Sequence, residues 1–256
     1  MINKVPYIKQ TVVGGLYDFT KKRFTKTDIP NRVIKNGRKI RTSGCGLCST
    51  AMALYWCTGK YINPIELKEK YVPNQGSKHD IGYYEARKRG VYAEYTANID
   101  KVVSALNNGC CVMSIQGKGA FTKRGHYILL IGTKDGKIAV NDPASSNRTY
   151  RMSGKLWSKS QIDNTTKKSD GKGYTIFYPL PIANVKKNDE GIDVKRWQLF
   201  LRFKGYTLSI DGKFGPKTEE LTKKYQKSKG IKVDGHVGMI TRGKAKADYK
   251  AKCTTK

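Results

Sequence analysis

Cys45, His126 and Asp142 are the residues of this chain whose types and order could carry out nucleophilic chemistry. Cys45 stands in Thr42-Ser43-Gly44-Cys45-Gly46-Leu47-Cys48-Ser49-Thr50-Ala51-Met52, with apolar Leu47, Ala51 and Leu54 at i, i+4 and i+7, the spacing of one helical face. Gly59 follows where a left-handed residue would end that helix. The pattern puts the Cys45 thiol in the first turn, where unpaired N–H groups and the positive end of the helix dipole favour the reactive thiolate. His126 opens the apolar run Tyr127 to Ile131, and Asn141-Asp142-Pro143 lies one hairpin further on. A cysteine, a histidine and an acid in that order point to a cysteine hydrolase. Competing readings attach to each residue. Gly44-Cys45-Gly46 is a poor core sequence, whereas Cys48, one turn later, reads as helix packing. Either Asp142 or Asn141 could orient the histidine, and Asp142 before Pro143 could be a turn residue. His79 is the rival base and has no strand around it; His236 reads as surface.

These residues need elements to position them. The first 44 residues read as extended and loop-rich, with a strand from Val5 to Val13 and a hairpin at Asn36-Gly37. After the Cys45 helix, Asn63-Pro64 reads as N-cap and first turn of a helix to about Tyr71, and further helices are predicted at Ser77–Lys88 and Asn98–Asn107. The period then changes. Strands are predicted at Cys110–Ile115, at His126–Thr133 and Lys137–Asn141 on either side of the turn Asp135-Gly136, and at Tyr174–Tyr178. Ser158–Lys172 reads as a polar loop. Helices followed by an antiparallel sheet make an α+β domain over residues 1–182. Residues 183–189 read as a linker, and 190–256 as a second, small three-helix domain. That second part holds a short repeat: Asp211-Gly212-Lys213-Phe214-Gly215-Pro216-Lys217-Thr218 matches Asp234-Gly235-His236-Val237-Gly238-Met239-Ile240-Thr241 as D-G-x-(apolar)-G-x-x-T. The glycines permit tight turns and the apolar residue can plug a core.

Composition narrows the partners. Fifty Lys and Arg against 20 Asp and Glu give a formal net charge of +30, spread over both parts of the chain. Such a balance points to a polyanionic partner: nucleic acid, an anionic membrane or an anionic cell wall. No helix-turn-helix, RNA-recognition or zinc-finger pattern supports nucleic acid. No apolar span reaches the length of a membrane helix, and Met1–Tyr7 lacks the apolar stretch of a secretory signal. The six cysteines do not form a disulfide framework. Cys48, Cys57, Cys110 and Cys111 sit in apolar runs and are expected as buried thiols. Neither metal nor cofactor is implied.

Two resemblances follow from these motifs. Val5-Pro6-Tyr7-Ile8-Lys9-Gln10, the run from Cys45 to Met52, Gly125-His126 and Asn141-Asp142-Pro143 resemble the C39-like, papain-fold cysteine peptidases. Gly191, Asp193-Val194, Trp197-Gln198, Phe200-Leu201, Gly205-Tyr206, both D-G turns and Tyr225-Gln226 resemble the peptidoglycan-binding domain type 1. The first resemblance implies Cys45 as nucleophile, His126 as general base and acid, Asp142 as orienting group and Gln10 as oxyanion donor. Gln10 lies 35 residues before Cys45, further than is usual in the family, so the Asn36-Gly37 hairpin would have to loop out. The second implies wall-ligand contacts at Trp197, Tyr206, Asp211, Phe214 and Asp234. Together they imply a monomeric peptidoglycan hydrolase of the endolysin or autolysin kind. It would cut a wall amide bond without a cofactor and bind peptidoglycan and associated anionic wall polymers. By the same resemblance it would be made in a host cytoplasm and released to the wall through holin pores. The alternative is a non-enzymatic wall or polyanion binder with an inactive peptidase domain.

Overall fold

Eight consecutive residues, Leu47 to Leu54, are buried in helix α1 (Cys45–Thr58). The sequence pattern suggested one apolar face. Instead the helix runs through the interior, and Ser49, Thr50, Ala51 and Ala53 keep it slim enough to be covered on all sides. In the computed structural model the described residues are 8, 17–18, 23–24, 44–68, 80–144 and 155–254. The strand at Val5–Val13, apart from buried Ile8, and the hairpin at Asn36-Gly37 lie outside them. After Ile8 comes a two-residue antiparallel pair, β1 (Tyr17–Asp18) and β2 (Arg23–Phe24). After α1 come two helices, α2 (Pro64–Lys68) and α3 (Asp80–Lys88). Next are β3 (Ala93–Thr96), α4 (Ile99–Asn107), β4 (Cys111–Gln116), β5 (His126–Lys134), β6 (Lys137–Asn141), β7 (Leu156–Trp157), α5 (Lys159–Asp163) and β8 (Tyr174–Phe177).

Six of the strands form one antiparallel sheet in the order β3-β8-β4-β5-β6-β7. Side chains alternate across it. Cys111, Met113, Tyr127, Leu129 and Ile131 face the core around α1, while Val112, Ile128, Leu130, Val140 and Ile176 face Ile99, Val102 and Leu106 of α4. A sheet covered on both faces explains why β4 and β5 read as continuous apolar runs rather than as alternating ones. The β5–β6 turn has φ of 50° at Asp135 and 70° at Gly136, the paired positive values that a tight two-residue hairpin requires. The Asn98 side chain caps α4 by accepting from the amides of Asp100 and Lys101, worth about 1 kcal/mol.

One expectation is corrected, and two features went unread. The polar stretch Ser158–Lys172 is not all loop: α5 forms within it, started by a reciprocal capping box between Ser158 and Gln161. Its Ser-x-x-Gln spacing was readable as a helix start. Strand β3 was not predicted. It is an edge strand of four residues, held by pairing to β8 rather than by its own pattern. Residues 183–189 are not a free spacer. Val185 is buried and bridges to Val237, and the Asn188 amide donates to the Phe214 carbonyl.

The C-terminal helices are α6 (Ile192–Phe203), α7 (Pro216–Ser228) and α8 (Met239–Thr254). The repeated turns are held identically. Gln198 accepts from the Gly212 amide and donates to Asp211 Oδ1, the Lys213 carbonyl and Thr218 Oγ1. Gln226 does the same with Gly235, Asp234, His236 and Thr241. Phe214 and Val237 plug the space beneath.

This helical module packs against the sheet domain. Buried Arg196 on α6 donates to the Trp56 carbonyl at 2.7 Å, and its guanidinium lies 4.6 Å from the Trp56 ring centre. A cation at a helix C-terminus meets the last, otherwise unpaired carbonyls. Trp56 is fixed from the other side by its indole N–H to the Gly109 carbonyl. Arg196→Ala is therefore expected to lower stability by about 2–4 kcal/mol, from loss of the charged hydrogen bond and the stacked cation. A fall in the urea midpoint checks this, and an unchanged midpoint would refute the clamp.

Candidate active site

Cys45 is the first residue of α1, after an N-cap Gly44 that offers no side chain to the free amides. Its sulfur is hydrogen-bonded by the backbone N–H groups of Gly46 and Tyr127 and by His126. Tyr127 is the second residue of β5, so helix start and strand start meet at the thiol. Gly46 eases the meeting. A Cβ there would lie 3.3 Å from the Tyr127 ring, so the ring would have to give by a few tenths of an ångström. Ser49 adds a tie one turn on, from its hydroxyl to the Tyr127 carbonyl at 3.4 Å.

The histidine is held on its other side. His126 Nε2 is 2.5 Å from Asp142 Oδ1, which also accepts from the Ala144 amide at 2.9 Å. The Asn141 amide reaches Met52 Sδ instead. Asn141 pairs across the sheet with Leu129 and shares its α1-facing side, and its chain neighbour Asp142 is the residue that meets the imidazole.

The electrostatics follow from these contacts. Burial opposes a charge on Cys45, but the hydrogen bond and charge of His126 and the two backbone amides outweigh it and hold the thiol below its ordinary value. Burial likewise opposes the imidazolium, yet the bonds to Asp142 and Cys45 raise His126 to about 10. The arrangement thus favours a thiolate–imidazolium pair at neutral pH. Cys48 contrasts sharply: burial, then the Cys45 charge, push its thiol up. Burial does the same to Cys110 and Cys111.

The other sequence candidates fall into four groups. Gln10 and His79 lie outside the described residues. Trp197 and Phe214 were expected at a wall ligand, but both are buried, at 0% and 1% exposure. Trp197 makes its indole bond to Thr222, so they build the module's core. Asp211 and Asp234 were expected there too, yet each holds its own turn through a glutamine and a backbone amide. Tyr206 is half-buried beside Lys224.

The sequence reading missed Gly46, Tyr127 and a buried polar group beside the histidine. Gln116 pairs with His126 across the sheet, and its amide is committed to Ser114, Thr165 and Thr166. A glutamine so bound stiffens the site's floor and has no N–H to offer a substrate. Among the described residues no group of three His, Cys, Asp or Glu could hold a metal ion, and no helix is long and apolar enough to cross a membrane.

The Peptidase C39 like family matches residues 2–187. The chain belongs to this family. Behind the C39-like domain, residues 190–244 match a peptidoglycan binding domain. No curated protein matches the chain. Among solved structures, the chain is similar to a C39-like peptidase from Bacillus anthracis at 12% identity and TM-score 0.39, over 52% of this chain and 88% of that one. It is also similar to the peptidase domain of Streptococcus ComA at 18% identity and TM-score 0.38, over 53% and 90%. A peptidoglycan-binding protein from Clostridioides difficile shows 19% identity and TM-score 0.28 over 50% of this chain and 64% of that one.

Limiting iodoacetamide at pH 7 should label Cys45 ahead of Cys48, Cys110 and Cys111, as peptide mapping would read. Asp142→Asn should slow that labelling at pH 7 and move the rise of reactivity with pH to higher pH. The sign follows from the pair: Asp142 helps raise His126, and without the carboxylate less imidazolium is present to hold Cys45 as thiolate. Equal labelling of Cys48 would contradict the proposed environment.

Proposed function

We propose that this chain is a peptidoglycan hydrolase that cleaves an amide bond of the wall peptide through an acyl-enzyme, with residues 190–256 holding it on the wall. The observation that carries this reading is the contact set Cys45–His126–Asp142, in a chain whose next domain is of the peptidoglycan-binding kind. The Cys45 thiolate attacks the carbonyl carbon and forms the thioester. His126 gives its proton to the leaving amine, then takes one from the water that cleaves the thioester. Asp142 keeps the imidazole turned toward the sulfur throughout. The oxyanion would be met by an amide of the α1 first turn and, on the family resemblance, by Gln10.

An endolysin or autolysin is the kind of protein this pairing suits. A wall hydrolase must bind an insoluble polyanionic substrate, and a net charge of +30 favours that encounter.

Cys45→Ala should lower release of soluble fragments from purified peptidoglycan by about a thousandfold or more, while the variant still sediments with the wall. Cys48→Ser should keep most activity. Mass spectrometry of the fragments names the bond: a new amino terminus within the stem or cross-bridge marks an endopeptidase, and a free stem peptide marks a muramoyl-alanine amidase. Full activity in Cys45→Ala would overturn the reading.

A further inference from the structure

Three cations meet where the two domains join, at the end of α1 remote from Cys45. Lys60 lies just past the helix's Gly59 cap, whose Cβ position is 3.2 Å from Ile182. Arg242 on α8 donates to the Ile182 carbonyl at 2.6 Å, which fixes its guanidinium beside the same residue. Lys246 stands one turn further along α8, and Lys250, a turn beyond, lies against Gly90. Arg242, Lys246 and Lys250 therefore form a row at i, i+4 and i+8. Among the described residues no carboxylate makes an ion pair with Lys60, Arg242 or Lys246. The one acid on α8, Asp248, is turned to Lys204 and Lys229. Arg242 Nε is buried without a hydrogen-bond partner. Partial desolvation, followed by the charges of Arg242 and Lys60, holds the Lys246 ammonium below its ordinary value.

Gathering like charges without an acid destabilises the fold, and an anion between them would relieve it. Guanidinium and ammonium groups both suit phosphoryl oxygens. Cations repeated turn by turn along a helix fit a ligand that repeats its charge better than they fit a single ion. We propose that the seam formed by Lys60, Arg242 and Lys246 binds a phosphodiester-linked polyol chain of the cell wall. The choice of a wall polymer rests on the wall-hydrolase reading above. The seam is about 20 Å from Cys45 along α1, at ~1.5 Å per residue, so an anchored polymer leaves the thiol clear.

The full chain is titrated with a soluble glycerol-phosphate oligomer, comparing wild type with Lys60→Gln/Lys246→Gln. Both lysines are exposed, so the fold is expected to hold, which circular dichroism checks. Binding should weaken about tenfold. Lys134→Gln/Lys137→Gln, exposed at the β5–β6 hairpin, removes the same charge elsewhere and should change binding by less than about twofold. Equal losses in the two variants would reduce the seam to net charge and overturn the proposal. So would complete displacement of the oligomer by inorganic phosphate at matched phosphate concentration. Tighter wild-type binding to a single-stranded DNA of equal phosphate number, with the same tenfold loss in the seam variant, would overturn the assignment to a polyol chain. Peptidoglycan stripped of phosphate polymers should be cut equally by wild type and the seam variant. Failure of wild type to cut it would defeat the hydrolase reading alone, since the oligomer titration judges the seam independently.

Discussion

The close approach of α1 to β5 is the constraint on which the rest of the structure depends. A helix start can bind a thiolate only if nothing else fills that space, and a strand can bring a histidine there only if the helix lets it near. Gly46 satisfies both conditions by presenting no side chain to the Tyr127 ring. Further along, small residues on α1 let the sheet stay close, and the Ser49 hydroxyl ties helix to strand where packing alone would allow sliding. The site's chemistry is thus an outcome of packing. Cys45 and Cys48 lie one turn apart on the same helix, yet one meets a cation and two amides while the other is fully buried and feels the Cys45 charge, and their acidities move in opposite directions.

The far end of α1 shows the same dependence from the other side. Trp56 is held by the Gly109 carbonyl through its ring and by Arg196 through its own carbonyl. Arg196 comes from the peptidoglycan-binding module, so the helix that begins with the reactive thiol ends on a group supplied by the neighbouring domain. Ring contacts between Tyr92 and Phe203 extend that junction. The two parts are joined by burial and charge as well as by the chain between them.

Much of this was legible in the sequence, and the gaps have physical reasons. The long elements carried their own signals: Gly59 ends α1, Asn98 caps α4, and Asp135-Gly136 turns the hairpin. The cysteine, histidine and acid could be singled out by type and order. Whether Asp142 or Asn141 meets the imidazole could not, because that depends on which way each side chain leaves the strand end. The all-round burial of α1 was hidden because serine and threonine count as polar in a pattern, although Ser49 and Thr50 are enclosed here with hydrogen-bond partners. Strand β3 was hidden because a short edge strand takes its order from its neighbour. Trp197 and Phe214 misled for a related reason: aromatic residues mark binding surfaces and cores alike, and only burial separates the two uses.

The two glutamine clamps leave something open. Each fixes its turn through backbone groups and through side chains that point inward, and asks nothing of the two residues just before the closing threonine. In the first turn these are Pro216 and Lys217; in the second they are Met239 and Ile240, exposed by 78% and 65%. One geometry therefore displays a stiff proline with a cation at one place and a soft, oily pair at another. A module built this way can alter what it shows to its surroundings by changing two letters per turn, without renegotiating how it folds.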